Sequence, residues 1–256
     1  IPFLASIVLL GVGWYIRVKV PESPDFEKVK DQAQEIKVPA LQVFKNHPRE
    51  LLTIIFARAA ENAWFYIAST FALAYTTTKL GIPRQDILFA TICGGGLIMI
   101  MTPLFGHLSD KVGQRNMFMF GLVVLSLYCY PFFSMLDTKD LLLVWTAIVL
   151  ALGVVFPLMY APQSQLFARQ FPTEIRYSGI SISVQFAGVI GGGLAPLIAT
   201  KLLSVGDGSP HLIITHIMGM AIFAIFCTFF MKSDKFNIQA SKVMIKNATE
   251  TDLSSP

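Results

Sequence analysis

Residues 141–162 read LLLVWTAIVLALGVVFPLMYAP, a run without a single Asp, Glu, Lys or Arg. A helix rises 1.5 Å per residue, so a run of this length covers the ~30 Å of hydrocarbon in a bilayer. A helix of a soluble core rarely needs a stretch so long and so uniformly apolar. The run is therefore read as a membrane span, and the rest of the chain repeats the pattern. Hydrophobic residues make up 54% and charged residues 14%, whereas a soluble domain carries about 25% charged residues. Mean hydropathy is +0.61.

Seven spans are predicted, at residues 1–17, 51–79, 86–105, 117–136, 141–162, 177–203 and 211–232. The chain opens at Ile1 inside an apolar run with no basic segment before it, which reads as a cut edge. Between the first two spans lies a polar stretch, 18–50, with Pro21, Pro24, Pro39 and Pro48 among many charges. If that stretch is cytoplasmic and the chain crosses at every span, fifteen of the twenty Lys and Arg lie inside and four outside, with Arg58 left within a span. The positive-inside rule selects this orientation. The polar tail after Met231 is then cytoplasmic, which discounts the Asn247-Ala248-Thr249 glycosylation sequon. Cys93, Cys129 and Cys227 all sit in apolar runs and read as small buried hydrophobes, so neither a disulfide nor a metal site is expected.

The segment after the third span reads Gly106-His107-Leu108-Ser109-Asp110-Lys111-Val112-Gly113-Gln114-Arg115. It resembles the loop signature G-x-L-x-D-[RK]-x-G-[RQ]-[RK] of the major facilitator transporters, in the copy of the C-terminal half. Gly106 and Gly113 suit tight turns, Asp110 can face the positive end of a neighbouring helix dipole, and Lys111 and Arg115 suit topology anchors. A second cytoplasmic segment, Phe171-Pro172-Thr173-Glu174-Ile175-Arg176-Tyr177-Ser178-Gly179, is similar to the F-P-T-x-x-R-x-x-G signature before the eleventh helix of sugar porters and their relatives. Together the two segments suggest an inner-gate network of Asp110, Arg115, Glu174 and Arg176; solvated caps with no gating role are the plain alternative.

The Pro21-Glu22-Ser23-Pro24 stretch, Ala60-Glu61-Asn62-Ala63-Trp64-Phe65-Tyr66 and the second cytoplasmic segment together resemble the metabolite:proton symporter branch. That branch includes carriers of α-ketoglutarate, shikimate, citrate and proline/betaine. The resemblance implies an all-α membrane protein, the C-terminal six-helix bundle of a major facilitator fold with one additional transmembrane helix. The implied organisation is a last helix of the N-terminal bundle at 1–17, a cytoplasmic linker at 18–50, the C-terminal bundle at 51–232 and a cytoplasmic tail at 233–256. A missing N-terminal half of the same protein, with the first five helices, is then the expected partner.

Charge inside hydrocarbon costs about 2.5–3.5 kcal/mol on the insertion scale, so charged residues within a span are functional candidates. The second span carries Arg58 and Glu61. At 100° per residue, Glu61, Asn62, Phe65, Ser69 and Thr76 all fall within a narrow stripe about Arg58, while Trp64 points away, toward lipid or another helix. Arg58 is suited to bind a carboxylate, and Glu61 to hold Arg58 or to carry a coupled proton. A purely structural ion pair is the competing reading. In the sixth span Ser178, Ser181, Gln185, Gly188 and Gly192 share a stripe by the same arithmetic, with Gln185 a hydrogen-bond donor to substrate. Gly94-Gly95-Gly96 and Gly191-Gly192-Gly193 read as close helix packing rather than phosphate loops, since no Lys-Ser/Thr follows. Pro157 and Pro162 flank Tyr160 in the fifth span, where a kink would permit bending.

Taken with these residues, the resemblance implies transport of a small polar, anionic metabolite by proton-coupled symport through alternating access, in a multi-pass protein of a bacterial inner membrane. The expected partners are a small-molecule substrate, a proton and the lipid bilayer, with no nucleic acid, cofactor or metal. No H-E-x-x-H pair and no nucleophile with its base stand in the spans, so an enzyme is not expected. A non-transporting membrane sensor on the same fold and a sugar-porter-like facilitator are the alternatives.

Overall fold

A computed structural model describes residues 2–19 and 39–232. The Pro21-Glu22-Ser23-Pro24 stretch, Lys28, Lys30 and Lys37, and the tail from residue 233 lie outside the described residues. Helix α1 is Pro2–Lys19 and α2 is Pro39–Asn46. Helix α3 covers residues 48–78, as Pro48–Tyr66, one wide π-helical turn Ile67–Phe71, and Ala72–Thr78. Then follow α4 (Arg84–Val112), α5 (Gln114–Asp137), α6 (Leu141–Ala168), α7 (Arg176–Val205) and α8 (His211–Phe229). Among the described residues there is no strand.

Five of these helices, α4 to α8, are long and apolar enough to cross a membrane. The first two predicted spans fall outside that set. Helix α1 ends on Arg17 and Lys19, and α3 carries Arg58, Glu61 and Asn62 in its middle, which lowers its hydropathy. The stretch 18–50, read as a cytoplasmic linker, contains the two-turn helix α2, whose Val43 is buried and whose Phe44 meets Phe186 of α7 edge-on at 6.4 Å.

Helix α3 is central, packing on α7 and α8, while α5 packs on α6 and α8 and α4 lies against α6. The core between them is aromatic: Trp64, Tyr75, Phe118, Phe132, Phe133 and Phe167 are fully buried. Large apolar side chains also cover the outside, among them Met99 at 79% and Leu142 at 75% exposure. Such a surface is unfavourable in water and suited to lipid. Cys129 and Cys227 are buried as expected, but Cys93 is exposed on that outer face.

Three long helices each contain one wide turn: Ile67–Phe71, Ala151–Val155 and Gly188–Gly193. The second precedes Pro157 and the third Pro196. A proline offers no N–H to the carbonyl four residues back and crowds it, and widening the preceding turn relieves both. Small residues let the helices close around these turns. A Cβ on Gly191 would fall on the Ala59 carbonyl, and one on Gly192 would lie 2.7 Å from the Tyr66 ring. Gly94 packs on Leu152. Gly95, Gly96 and Gly193 face open space, so the packing role expected of both glycine runs holds only in part.

Candidate functional site

Arg58 lies ten residues into α3, about 15 Å along the helix. Its Nη1 stands 3.5 Å from Oε2 of Glu61 one turn on, and Glu61 is buried at 1% exposure. The same Nη1 donates to Oε1 of Gln163, a buried residue of α6. Arg58 Nε and Glu61 Oε2 are buried without a hydrogen bond among the described residues. The pair is thus anchored across two helices while the buried Arg58 Nε keeps no hydrogen bond, which is costly unless a ligand takes it up.

Asn62, one turn above Arg58, is half-buried and makes no hydrogen bond among the described residues. Phe65 of α3 meets Phe156 of α6 at 4.9 Å, and Phe156 stacks on Tyr160 at 5.0 Å. Tyr160 shares a face of α6 with Gln163 and is 42% exposed. Arg58, Asn62, Tyr160 and Gln163 thus give charged and amide groups beside an aromatic wall, suited to a small polar solute.

Other expected members lie elsewhere. Ser69 donates to the Phe65 carbonyl at 2.6 Å, and Thr76 is fully buried, donating to Ala72. The wide turn at Ile67–Phe71 inserts a residue, so the 100° arithmetic fails beyond Tyr66. Gln185 is exposed and borders a shallow apolar hollow with Ala40, Phe44 and Phe186. It makes no hydrogen bond to the Arg58–Glu61 pair. Trp64 turns inward, and its Nε1 donates to the Ala151 carbonyl at 3.1 Å.

At the opposite end of α4 the expected loop is largely helix. Gly106 to Val112 continue α4, and the chain breaks only at Gly113, whose φ of 97° favours glycine. Gly106 meets open space rather than a close neighbour, and Lys111 is exposed. Asp110 Oδ1 accepts from Gln114 Nε2 at 3.1 Å and from Gln165 Nε2 at 3.3 Å, and Arg169 donates to Gln114 Oε1 at 2.9 Å. Arg115 instead donates to the Phe229 carbonyl at 2.6 Å and the Met231 carbonyl at 3.3 Å, at the end of α8. Glu174 is exposed, and Arg176 donates to Thr173 at 3.2 Å. The expected four-residue gate is therefore not assembled. The amides of Gln114 and Gln165 gather about Asp110 in its place, with Arg169 donating to Gln114. Gln114 stood in the quoted motif and Gln163 and Gln165 at the end of the fifth span, so the polar residues were visible although their partners were not.

Long apolar helices around an internally held ion pair define a multi-pass, all-α integral membrane protein. The family model of the Major Facilitator Superfamily matches residues 1–196, and the chain belongs to that superfamily. It is similar to the Shikimate transporter of Escherichia coli (strain K12), 31% identical over 238 residues, covering 92% of this chain and 54% of the relative. It is also similar to the Inner membrane metabolite transport protein YhjE of the same organism, 30% identical over 234 residues, covering 89% of this chain and 53% of the relative. The chain spans about half the length of the curated relatives it matches. No solved structure matches it.

Proposed function

We propose that this chain supplies the substrate and proton site of a metabolite:proton symporter carrying a small polar anion across a bacterial inner membrane by alternating access. The observation that carries the reading is the Arg58–Glu61 pair in the middle of α3, with Glu61 buried and Arg58 held to Gln163. An unpaired cation within the span is unfavourable by several kcal/mol, so Arg58 needs one negative partner at every stage. Ionised Glu61 supplies it when the site is empty. When Glu61 takes a proton, Arg58 is released to a substrate carboxylate, and the net charge of the site is unchanged. One anion and one proton then move together, which is symport.

The similarity to carriers named for shikimate and for a metabolite supports a small polar solute. The aromatic wall of Phe65, Phe156 and Tyr160 fits the apolar face of such a solute. Alternating access requires a second helical body for residues 51–232 to rock against, and the Asp110 cluster is the inner latch of that motion. The test is uptake by the complete protein in sealed vesicles. An imposed inward proton gradient should drive accumulation of carboxylated solutes, and accumulation indifferent to the gradient would contradict the reading.

A further inference from the structure

A seam runs along the outer surface between α3 and α8, beyond the transport site. At its cytoplasmic end Arg49, Glu50, Thr53, Gln170, Phe230 and Lys232 line a cleft of about 180 Å³. The Arg49 guanidinium lies over the Phe230 ring at 5.5 Å and has no hydrogen bond or ion pair among the described residues. Glu50 is already engaged, 3.8 Å from Lys232 Nζ and 3.7 Å from His47 Nδ1. Lys232 is held in place by Gln170, whose carbonyl accepts from its Nζ at 3.0 Å and whose side chain accepts from its backbone N–H at 2.9 Å. The cleft therefore presents one fixed cation and one unused five-donor fork.

Below the cleft the seam becomes apolar. Phe230, just past the end of α8, and Phe226 and Phe223 within it follow one another with about half of each exposed, and Phe223 meets Phe56 of α3 at 5.2 Å. It ends in an apolar hollow of about 270 Å³ between Phe56, Ala59, Ile190, Leu194 and Phe223. Arg49 to Ala59 is ten residues of helix, about 15 Å, which is the depth of one leaflet of a ~30 Å hydrocarbon layer. The inner leaflet is the anionic one, and the Lys and Arg asymmetry places Arg49 and Lys232 on that side.

We propose that this seam binds one anionic phospholipid of the inner leaflet, its phosphate at Arg49 and Lys232 and one acyl chain running past Phe230 and Phe223 into the hollow. Bare phosphate would leave the aromatic ladder unused, and a zwitterionic lipid would bring, with its phosphate, a headgroup cation that Arg49 and Lys232 repel.

The test is native mass spectrometry of the detergent-purified complete protein, titrated with phosphatidylglycerol and with phosphatidylcholine of equal chain length. The protein should take up one phosphatidylglycerol about ten-fold or more tightly than phosphatidylcholine, and Arg49→Gln with Lys232→Gln should erase that preference. Arg49→Lys, which keeps the charge, and Lys201→Gln, remote on the other side, should retain it. Dihexanoyl phosphatidylglycerol, too short to fill the hollow, should bind more weakly. Equal affinity for the two headgroups, a preference that survives the double change, or equal affinity for long and short chains would overturn the proposal.

Discussion

Arg58 of α3 and Gln163 of α6 are 105 positions apart, yet the guanidinium of one donates to the side-chain carbonyl of the other. The contact ties the charged centre of α3 to the helix bearing Tyr160 and the wide turn before Pro157. It also leaves Arg58 beside a neutral acceptor, so its positive charge is balanced by Glu61 alone within the site.

Replacing that neutral acceptor with an acid should therefore inhibit anion binding. Gln163→Glu adds a second carboxylate to the same cation, and the apparent KM for an anionic substrate should rise about ten-fold or more, in line with the ~1.5–3 kcal/mol of a charged hydrogen bond. Gln163→Leu should cost less. Uptake kinetics at matched expression check both, and an unchanged KM in Gln163→Glu would remove Arg58 from substrate binding.

At the Asp110 cluster, Asp110→Asn keeps the shape of the side chain and removes its charge. Its two glutamine contacts are to amide N–H donors, which still have an oxygen to meet. Insertion should be normal and transport reduced, because charge-assisted bonds weaken by roughly half when the acceptor is neutral. Full transport at normal expression would make the cluster a simple helix cap.

Packing around the wide turns makes a stability prediction. Trp64→Phe removes a donor to the Ala151 carbonyl and should lower stability by about 1 kcal/mol. Gly191→Val forces a branched side chain onto the Ala59 carbonyl and should cost about 1–3 kcal/mol or more. Thermal unfolding of the complete protein in detergent checks the order of the two.

Orientation is checked by cysteine labelling in intact cells. Cysteines placed at Arg84 and Asp207 should react with an impermeant reagent from outside, and those at Asp110 and Arg176 only after the membrane is opened. Outside labelling at Asp110 would reverse the topology and overturn the inner-leaflet lipid site.

The membrane character, the helix pattern from residue 84 onward and the family were legible because apolar length and a ten-residue motif are local properties. Arg58 and Glu61 were legible as a pair because they lie one turn apart on regular helix. The 100° arithmetic does not carry through to Ser69 and Thr76 because a wide turn at Ile67–Phe71 shifts the register, and nothing in that span's sequence marks the turn. Gln163 and Gln165 were missed as partners because their contacts cross between helices. Arg115 was assigned to a gate with Arg176, but the end of α8 offered unsatisfied carbonyls nearer to hand.

The most direct test of the central claim compares Arg58→Lys and Glu61→Gln in vesicles containing the complete protein, measuring uphill accumulation under a proton gradient and exchange of labelled for unlabelled substrate. Glu61→Gln keeps a hydrogen-bonding side chain that cannot titrate, so accumulation should be abolished while exchange persists. Arg58→Lys keeps a cation but loses the planar fork, and should raise KM in both assays. If both variants only lower the amount of folded protein, with KM and the response to the gradient unchanged, the pair is structural and the transport site lies elsewhere.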